Sequence, residues 1–134
     1  MTRAFVAVGS NLGDRMAWHR FAAEGLGALD GVRLVAMTPL RETAPLCGGP
    51  QPDYLNRMLL LDTSLDARDL LRACHAIERD AGRDHKVRWA SRTLDLDLVR
   101  FGDMLCDTPS LVLPHPGLRD RTFWALDIAE LEAR

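Results

Sequence analysis

Residues 94–98 read Leu-Asp-Leu-Asp-Leu, so apolar and acidic side chains alternate with a period of two. Side chains of a strand point alternately to its two faces, so the leucines share one face and Asp95 and Asp97 share the other. Aspartate is a poor strand former, and two like charges on one face repel each other. The pattern predicts a strand with one buried face and one face that either binds a cation or is simply solvated.

The surrounding sequence predicts where this strand lies in a fold. Short apolar or alternating segments predict strands at residues 3–8, 32–37, 54–61 and 94–101. Helical spacing predicts helices from Asp14, from Ser64 or Asp66 to Gly82, and over residues 121–131, whereas residues 42–52, rich in Pro and Gly, predict a loop. The order β-α-β-β-α-β predicts a ferredoxin-like α+β fold, with helices packed on an antiparallel sheet, in one domain over residues 1–134.

Composition excludes several classes of protein. A formal net charge of −2 over 134 residues provides no general basic field, which argues against a nucleic-acid partner. The chain has neither a transmembrane-length apolar run nor a signal-peptide cleavage pattern, so we expect a cytoplasmic protein without a membrane partner. Cys47, Cys74 and Cys106 are odd in number and widely spaced, which predicts reduced thiols and neither a disulfide framework nor a zinc site.

The segment before the acidic strand is basic. Arg83, Arg88 and Arg92 offer planar donors that match phosphate oxygens, and Trp89 is a large apolar ring in an otherwise charged loop. Carboxylates two residues apart on a strand can converge on one or two hard cations, and oxygen ligands alone favour Mg²⁺ completed by substrate phosphates. This combination indicates phosphoryl transfer. The segment Gly-Ser-Asn-Leu-Gly at residues 9–13 lacks the Lys-Ser/Thr ending of a P-loop and is interpreted as a turn that leads into a helix.

The segment RWASRTLDLDLV, residues 88–99, resembles the signature of the 6-hydroxymethyl-7,8-dihydropterin pyrophosphokinase family of folate biosynthesis. FVAVGSNLGD, RETAPL, QPDYLN, IERDAGR and LPHPGLRDRTF are similar to the family in the same order, so the resemblance runs from about residue 3 to about residue 128. It implies Mg²⁺-dependent transfer of pyrophosphate from ATP to the hydroxymethyl group of the pterin, with release of AMP.

The resemblance also implies roles for individual residues. Asp95 and Asp97 are expected to hold two Mg²⁺ ions, and with Arg83 and Arg92 to form the catalytic group. The residues expected to contact ATP are Arg83, Arg88, Trp89, Arg92, Leu98, His115 and Arg121. The residues expected to contact the pterin are Thr43, Leu46, Tyr54, Asn56, Trp89, Asp95 and Phe123. The substrates are therefore expected to be ATP and a hydroxymethyl-dihydropterin, bound by a monomer.

Alternatives remain open from the residues alone. Taken singly, Tyr54 and Phe123 are more often core aromatics, and His115 between two prolines suits a rigid loop equally well. A diverged enzyme that acts on another pterin-like alcohol, or a binding module without turnover, would keep many of the same residues. The chain departs from the family pattern where its last helix is short, and at His75, Ser110 and Val112 on the nucleotide side.

Overall fold

The computed structural model describes residues 1–45, 50–82 and 94–133. Within these ranges the chain forms seven strands, three α-helices and one short 3-10 helix. In chain order they are β1 (Thr2–Ser10), α1 (Arg15–Gly27), β2 (Val32–Met37), β3 (Arg41–Thr43), β4 (Tyr54–Thr63), α2 (Ala67–Asp80), β5 (Asp95–Phe101), β6 (Cys106–Thr108), β7 (Leu111–Leu113), the 3-10 helix Pro116–Arg119 and α3 (Thr122–Glu132).

The long strands form an antiparallel sheet in the order β2-β4-β1-β5. The short strand β3 pairs with the beginning of β4, while β2 pairs with the end of β4. β1 is central and β5 lies at one edge. Counting only the long strands, the order is 2-3-1-4, which confirms the predicted ferredoxin-like α+β arrangement.

The two faces of this sheet pack against different helices. One face, called here the α1/α2 face, carries the larger apolar cluster and is covered by α1 and α2. The opposite face, called here the α3 face, carries a smaller cluster built around Phe5, Met58 and Leu60 and is covered by α3. Leu94, Leu96 and Leu98 are buried on the α1/α2 face, as predicted. Alternation along β5 turns Asp95 and Asp97 to the α3 face.

The helix boundaries follow from local chemistry. The Asp14 side chain accepts a hydrogen bond from the Ala17 N–H, and the Asp66 side chain accepts one from the Asp69 N–H, so both aspartates are N-caps. Gly82 follows α2 with a φ of +82°, a conformation that glycine adopts without strain. The predicted cap at Asp66 is confirmed.

The spacing of Trp18, Phe21, Ala22, Gly25 and Leu29 predicts which side of α1 is buried, and the structure confirms this only in part. α1 buries His19, Ala22 and Leu26, whereas Phe21, which the spacing placed on the stripe, is 37% exposed. The cause is His19, whose ring Nε2 lies 2.7 Å from the Leu55 carbonyl oxygen and occupies an inward position that a polar residue does not suggest.

Three short strands were not predicted. β3 overlaps the first two residues of the predicted loop of residues 42–52, and β6 pairs with β7 as a small hairpin. Each is three residues long, which is too short for a period-two pattern to be visible. β1 also continues through Ser10, so Gly9 belongs to the sheet and not to a turn.

None of the helices in the described residues is long and apolar enough to cross a membrane.

Candidate active site

A row of small and polar residues crosses the sheet on the α3 face. Gly9 of β1 pairs with Asn56 of β4 on one side and with Asp95 of β5 on the other. One pairing step away, Ala7 faces Met58 and Asp97, and there the apolar cluster begins. The apolar pattern of this face therefore stops at the Asn56–Gly9–Asp95 row, which is where the strands present polar groups.

Gly9 is a buried position without a side chain in the middle of this row, and it is called here the Gly9 floor. A Cβ atom added to Gly9 would lie 3.2 Å from Asn56 Oδ1, which is tight, and 3.4 Å from Tyr54 Cδ1, which is ordinary contact. No side chain of β1 therefore stands between Asn56 and Asp95 in this row.

Thr43 and Tyr54 flank the Asn56 end of the row. β3 places Thr43 opposite Tyr54, and Asn56 Nδ2 donates a hydrogen bond of 2.5 Å to Thr43 Oγ1. With its amide nitrogen held in this way, Asn56 turns its carbonyl oxygen toward Gly9. Phe123, in the first turn of α3, is half-buried and packs against the α3-face cluster. Tyr54 is also half-buried, so neither ring is a fully buried core aromatic.

A second group of side chains continues from Asp97. The His115 N–H donates to the Val99 carbonyl at 2.8 Å, which places this residue beside the edge strand, and His115 Nε2 lies 3.6 Å from Asp97 Oδ1. His115 Nδ1 accepts a hydrogen bond of 2.9 Å from the Gly117 N–H, so the neutral ring carries its proton on Nε2. The ring thus presents an N–H donor on the side of the carboxylates.

Trp124 connects His115 with Arg121. Its buried indole meets the His115 ring edge-to-face at 5.2 Å, and the Arg121 guanidinium lies 4.8 Å from the centre of the indole. Arg121 also lies over Gly117, where an added Cβ would come within 2.6 Å of Arg121 Nη1. The aromatic face and the missing side chain together fix the direction of this cation.

A cleft of about 610 Å³ runs along the free edge of β5. This volume is within the usual range for small-molecule sites. Its walls come from α2, β5, the β6–β7 turn and the segment at His115. The lining residues are Leu71, His75, Glu78, Arg79, Asp95, Leu96, Asp97, Leu98, Pro109, Ser110, Leu111, Val112, His115 and Pro116.

Two contacts hold the walls of this cleft in place. Arg68 at the beginning of α2 donates to Ser110 Oγ at 2.7 Å and to Thr108 Oγ1 at 3.3 Å, which fixes the β6–β7 hairpin. Glu78 of α2 is only 1% exposed, and its Oε2 accepts a hydrogen bond of 2.8 Å from the Leu96 N–H at the sheet edge. Sequence reasoning missed Glu78. The available signal was an acid within the apolar stripe of α2, four residues after Cys74.

The donors present suit a hard cation. Asp95 and Asp97 project from one strand on the same face, and both line the cleft. Within residues 1–45, 50–82 and 94–133, no three His, Cys, Asp or Glu side chains come together as a metal cage. Two carboxylates fit Mg²⁺, which keeps several waters and takes further ligands from phosphates.

The structure brings together only part of the predicted site. Asp95, Asp97, Leu98 and His115 meet at the cleft, and Arg121 reaches the same region through Trp124. Thr43, Tyr54 and Asn56 meet at the Gly9 floor. Five predicted residues lie outside the described ranges, so their roles remain predictions: Leu46, Arg83, Arg88, Trp89 and Arg92.

Comparison with known proteins adds an independent finding. The family described as 7,8-dihydro-6-hydroxymethylpterin-pyrophosphokinase (HPPK) matches residues 5–133. A protein of Pseudomonas aeruginosa named 2-amino-4-hydroxy-6-hydroxymethyldihydropteridine pyrophosphokinase is 41% identical over 129 residues, covering 96% of this chain and 80% of its own length. Proteins of the same name from Pseudomonas putida and Bacillus subtilis are 43% and 35% identical, covering 84% and 96% of this chain and 93% and 77% of their own lengths. The matched region contains both the Gly9 floor and the cleft.

Proposed function

Since the chain belongs to the 7,8-dihydro-6-hydroxymethylpterin-pyrophosphokinase (HPPK) family, we propose that the Gly9 floor and the cleft beside β5 are the two halves of its active site. The protein is a diphosphotransferase of folate biosynthesis, which transfers a pyrophosphoryl group from ATP to hydroxymethyldihydropterin. The proposal concerns which residues carry out this reaction and with which ion.

The pterin half is the Asn56–Gly9–Asp95 row. Asn56, oriented by Thr43, recognises the polar edge of the heterocycle, and the absent side chain of Gly9 lets the flat ring lie against the sheet. Tyr54 and Phe123 supply ring faces for stacking, since both are half-buried, Tyr54 next to Gly9 and Phe123 against the apolar cluster that adjoins the row. The support for this assignment is the crowding that any side chain at Gly9 would cause. Leu46 and Trp89 complete the proposed pterin contacts.

The nucleotide half is the cleft. Leu98 provides an apolar wall for the adenine, and the His115 Nε2–H and the Arg121 guanidinium donate to phosphate oxygens. Arg83, Arg88, Trp89 and Arg92 are proposed to join them from the basic segment. The departures at His75, Ser110 and Val112 all fall on the walls of this cleft, so we expect them to alter ATP affinity more than the chemical step.

Asp95 and Asp97 connect the halves. Asp95 pairs with Gly9 at the pterin floor and also lines the cleft, so the carboxylates lie where the hydroxymethyl oxygen must meet the triphosphate. We propose that they hold Mg²⁺, two ions in the expectation from the family. Such an ion neutralises phosphate charge and makes the hydroxyl easier to deprotonate. The protein contributes fixed carboxylates for the ion, donors for the phosphates and a floor that orients the hydroxymethyl group toward them.

The test is AMP release from ATP by the purified protein, followed by chromatography, with and without 6-hydroxymethyl-7,8-dihydropterin. We expect AMP and the pterin diphosphate in equal amounts, abolished by chelator and restored by Mg²⁺. AMP release without pterin, or none with it, would contradict the proposal. Turnover only with a different pterin alcohol would indicate a diverged substrate and leave the assignment of the two halves intact.

We also propose that residues 1–134 act as one catalytic domain, as a monomer in the cytoplasm, without nucleic acid or a membrane as partner. Both halves of the proposed site lie on one sheet of one chain, which supports this. Size-exclusion chromatography with light scattering gives the molar mass of the fraction that has enzymatic activity. A dimer mass in that fraction would contradict the proposed monomer.

A further inference from the structure

An ion pair joins β3 to α3. Arg41 Nη2 donates to Asp127 Oδ1 at 3.1 Å. The Arg41 side chain is 47% exposed, whereas the Asp127 side chain is only 5% exposed. The contact therefore places a nearly buried carboxylate between the helix and a strand of three residues.

Both partners lie next to residues of the proposed pterin half. Arg41 pairs with Asn56 in the sheet and precedes Thr43 by two residues, so it shares a strand face with Thr43. Asp127 follows Phe123 by four residues and therefore lies one helical turn along the same side of α3. The ion pair thus links the strand that carries one wall of the pterin half to the helix that carries another.

The surroundings of Asp127 disfavour its charged form. Burial raises the pKa of its carboxyl above the ordinary value of 3.8, and the hydrogen bond and charge of Arg41 offset this only in part. A raised pKa means that the contribution of Asp127 to stability is greatest below its unfolded pKa and is lost as pH rises through its folded pKa. At neutral pH the carboxylate is therefore charged in a nearly buried position, where Arg41 is the cation in hydrogen-bond contact with it.

We propose that Arg41 and Asp127 are positioning residues for the pterin, which set the distance between the Thr43–Asn56 edge and Phe123. The inference rests on the proposed function, because it assigns a task to the same pocket. Neither residue need touch the substrate. Their ion pair fixes the distance between β3 and α3. The Thr43–Asn56 edge and the Phe123 ring can then contact the same flat ligand at once.

The same strand provides a matched control. Glu42, between Arg41 and Thr43, accepts a hydrogen bond of 2.7 Å from Arg15 Nη2 of α1. This second ion pair also anchors β3, but it is exposed, and alternation points it away from the pterin half. Breaking it removes an anchor of β3 without changing the link between β3 and α3.

The experiment compares Asp127→Asn, Arg41→Gln, Arg41→Lys and the double variant Arg41→Gln/Asp127→Asn with Glu42→Gln. Steady-state kinetics give kcat and the KM for 6-hydroxymethyl-7,8-dihydropterin, calorimetry gives the MgATP Kd, and thermal unfolding gives Tm. We expect Asp127→Asn and Arg41→Gln each to raise the pterin KM about tenfold, with the MgATP Kd nearly unchanged. Tm should be nearly unchanged in Asp127→Asn but lower in Arg41→Gln, because Arg41→Gln leaves the nearly buried Asp127 carboxylate without its cation. The double variant should be no worse than either single variant, Arg41→Lys should recover part of the loss, and Glu42→Gln should match the wild type.

A wild-type pterin KM in Asp127→Asn, or an equal rise in Glu42→Gln, would overturn the inference while leaving the proposed function standing. So would a KM change in Asp127→Asn that only follows loss of Tm, because that is the result of general unfolding. If the wild type itself shows no pterin-dependent AMP release, the proposed function fails and the positioning role fails with it.

Discussion

The two faces of one sheet differ although the same three strands build both. On the α1/α2 face, β1 and β5 remain apolar into the region of the site, through Val8 and Leu96, and β4 buries Leu55 there, with Arg57 as its one charged residue on this face. On the α3 face, the neighbours of these residues in sequence are Gly9, Asn56 and Asp97. The opposite half of the α3 face is again apolar, with Phe5 and Leu60 buried against α3.

This difference shows how the fold separates stability from chemistry. Burial on the α1/α2 face and on the apolar half of the α3 face holds the strands in place. The remaining half of the α3 face can therefore carry a bare glycine and two like charges, although neither favours a strand. Substitutions on the two faces should accordingly affect different measurements.

The largest expected effect is that of Asp97→Asn on turnover. If Asp97 holds the ion that stabilises phosphate charge, kcat should fall on the order of a thousandfold, because metals contribute several kcal/mol to such transition states. The AMP-release assay at saturating MgATP and pterin measures this. A loss of less than about tenfold would mean that Asp97 is not part of the metal site.

The second largest expected effect is a loss of stability on substitution of a leucine on the α1/α2 face. Leu61 is fully buried in the α1/α2 cluster, and Leu61→Ala should lower the free energy of unfolding by about 3 kcal/mol. Below its melting temperature the variant should keep the wild-type KM for both substrates. Urea unfolding measures the free energy of unfolding, and steady-state kinetics measure the two KM values. An altered pterin KM in the folded variant would mean that the two faces are not independent.

Gly9→Ala sharpens the comparison within the site. The new methyl group would be tight against Asn56 Oδ1 and would occupy the surface of the row, so we expect pterin affinity to fall about tenfold while MgATP affinity is unchanged. The free energy of unfolding should change by less than about 1 kcal/mol, since β1 holds Gly9 in ordinary strand geometry. Calorimetric titration of each ligand is the measurement, and equal losses for both ligands would remove Gly9 from the pterin half.

The smallest expected effect is a pH dependence of thermal stability that comes from His19 of α1. Burial lowers the pKa of His19 below its ordinary value of 6.5, so the folded state favours the neutral ring. The stability this contributes is present above the unfolded pKa and is lost as pH falls through the folded pKa. His19→Gln keeps an N–H for the Leu55 carbonyl without a titrating group, so its Tm should fall less than the wild-type Tm between about pH 7.5 and pH 5.5. Parallel Tm curves would contradict this.

The sequence was sufficient to predict those features of the fold and the site that are visible as periodicity or as motifs. The alternation at residues 94–98 correctly separated the buried leucines from Asp95 and Asp97, and the strand and helix order predicted the sheet. The importance of Gly9 could not be predicted, because it depends on Asn56 and Tyr54, which lie more than forty residues away in the chain. The same holds for the Arg41–Asp127 pair, since it joins two distant segments. Glu78 carried a signal, as an acid within the apolar stripe of α2, but the sequence did not indicate its partner, the Leu96 N–H.

The central claim is that Asp95 and Asp97 serve the ligand at some cost to the fold, and unfolding of Asp97→Asn tests it most directly. In chelator, without nucleotide, the variant should have a Tm equal to or above that of the wild type, because one of two like charges is removed. The corresponding gain in the free energy of unfolding is at most about 1 kcal/mol. The Asp97–His115 contact at 3.6 Å is too long for a hydrogen bond, so its loss should cost little. In excess MgATP the order should reverse, because the wild type gains stability from the bound ligand and the variant gains much less. A variant that unfolds far more easily in chelator would contradict the account, because Asp97 would then be a structural residue.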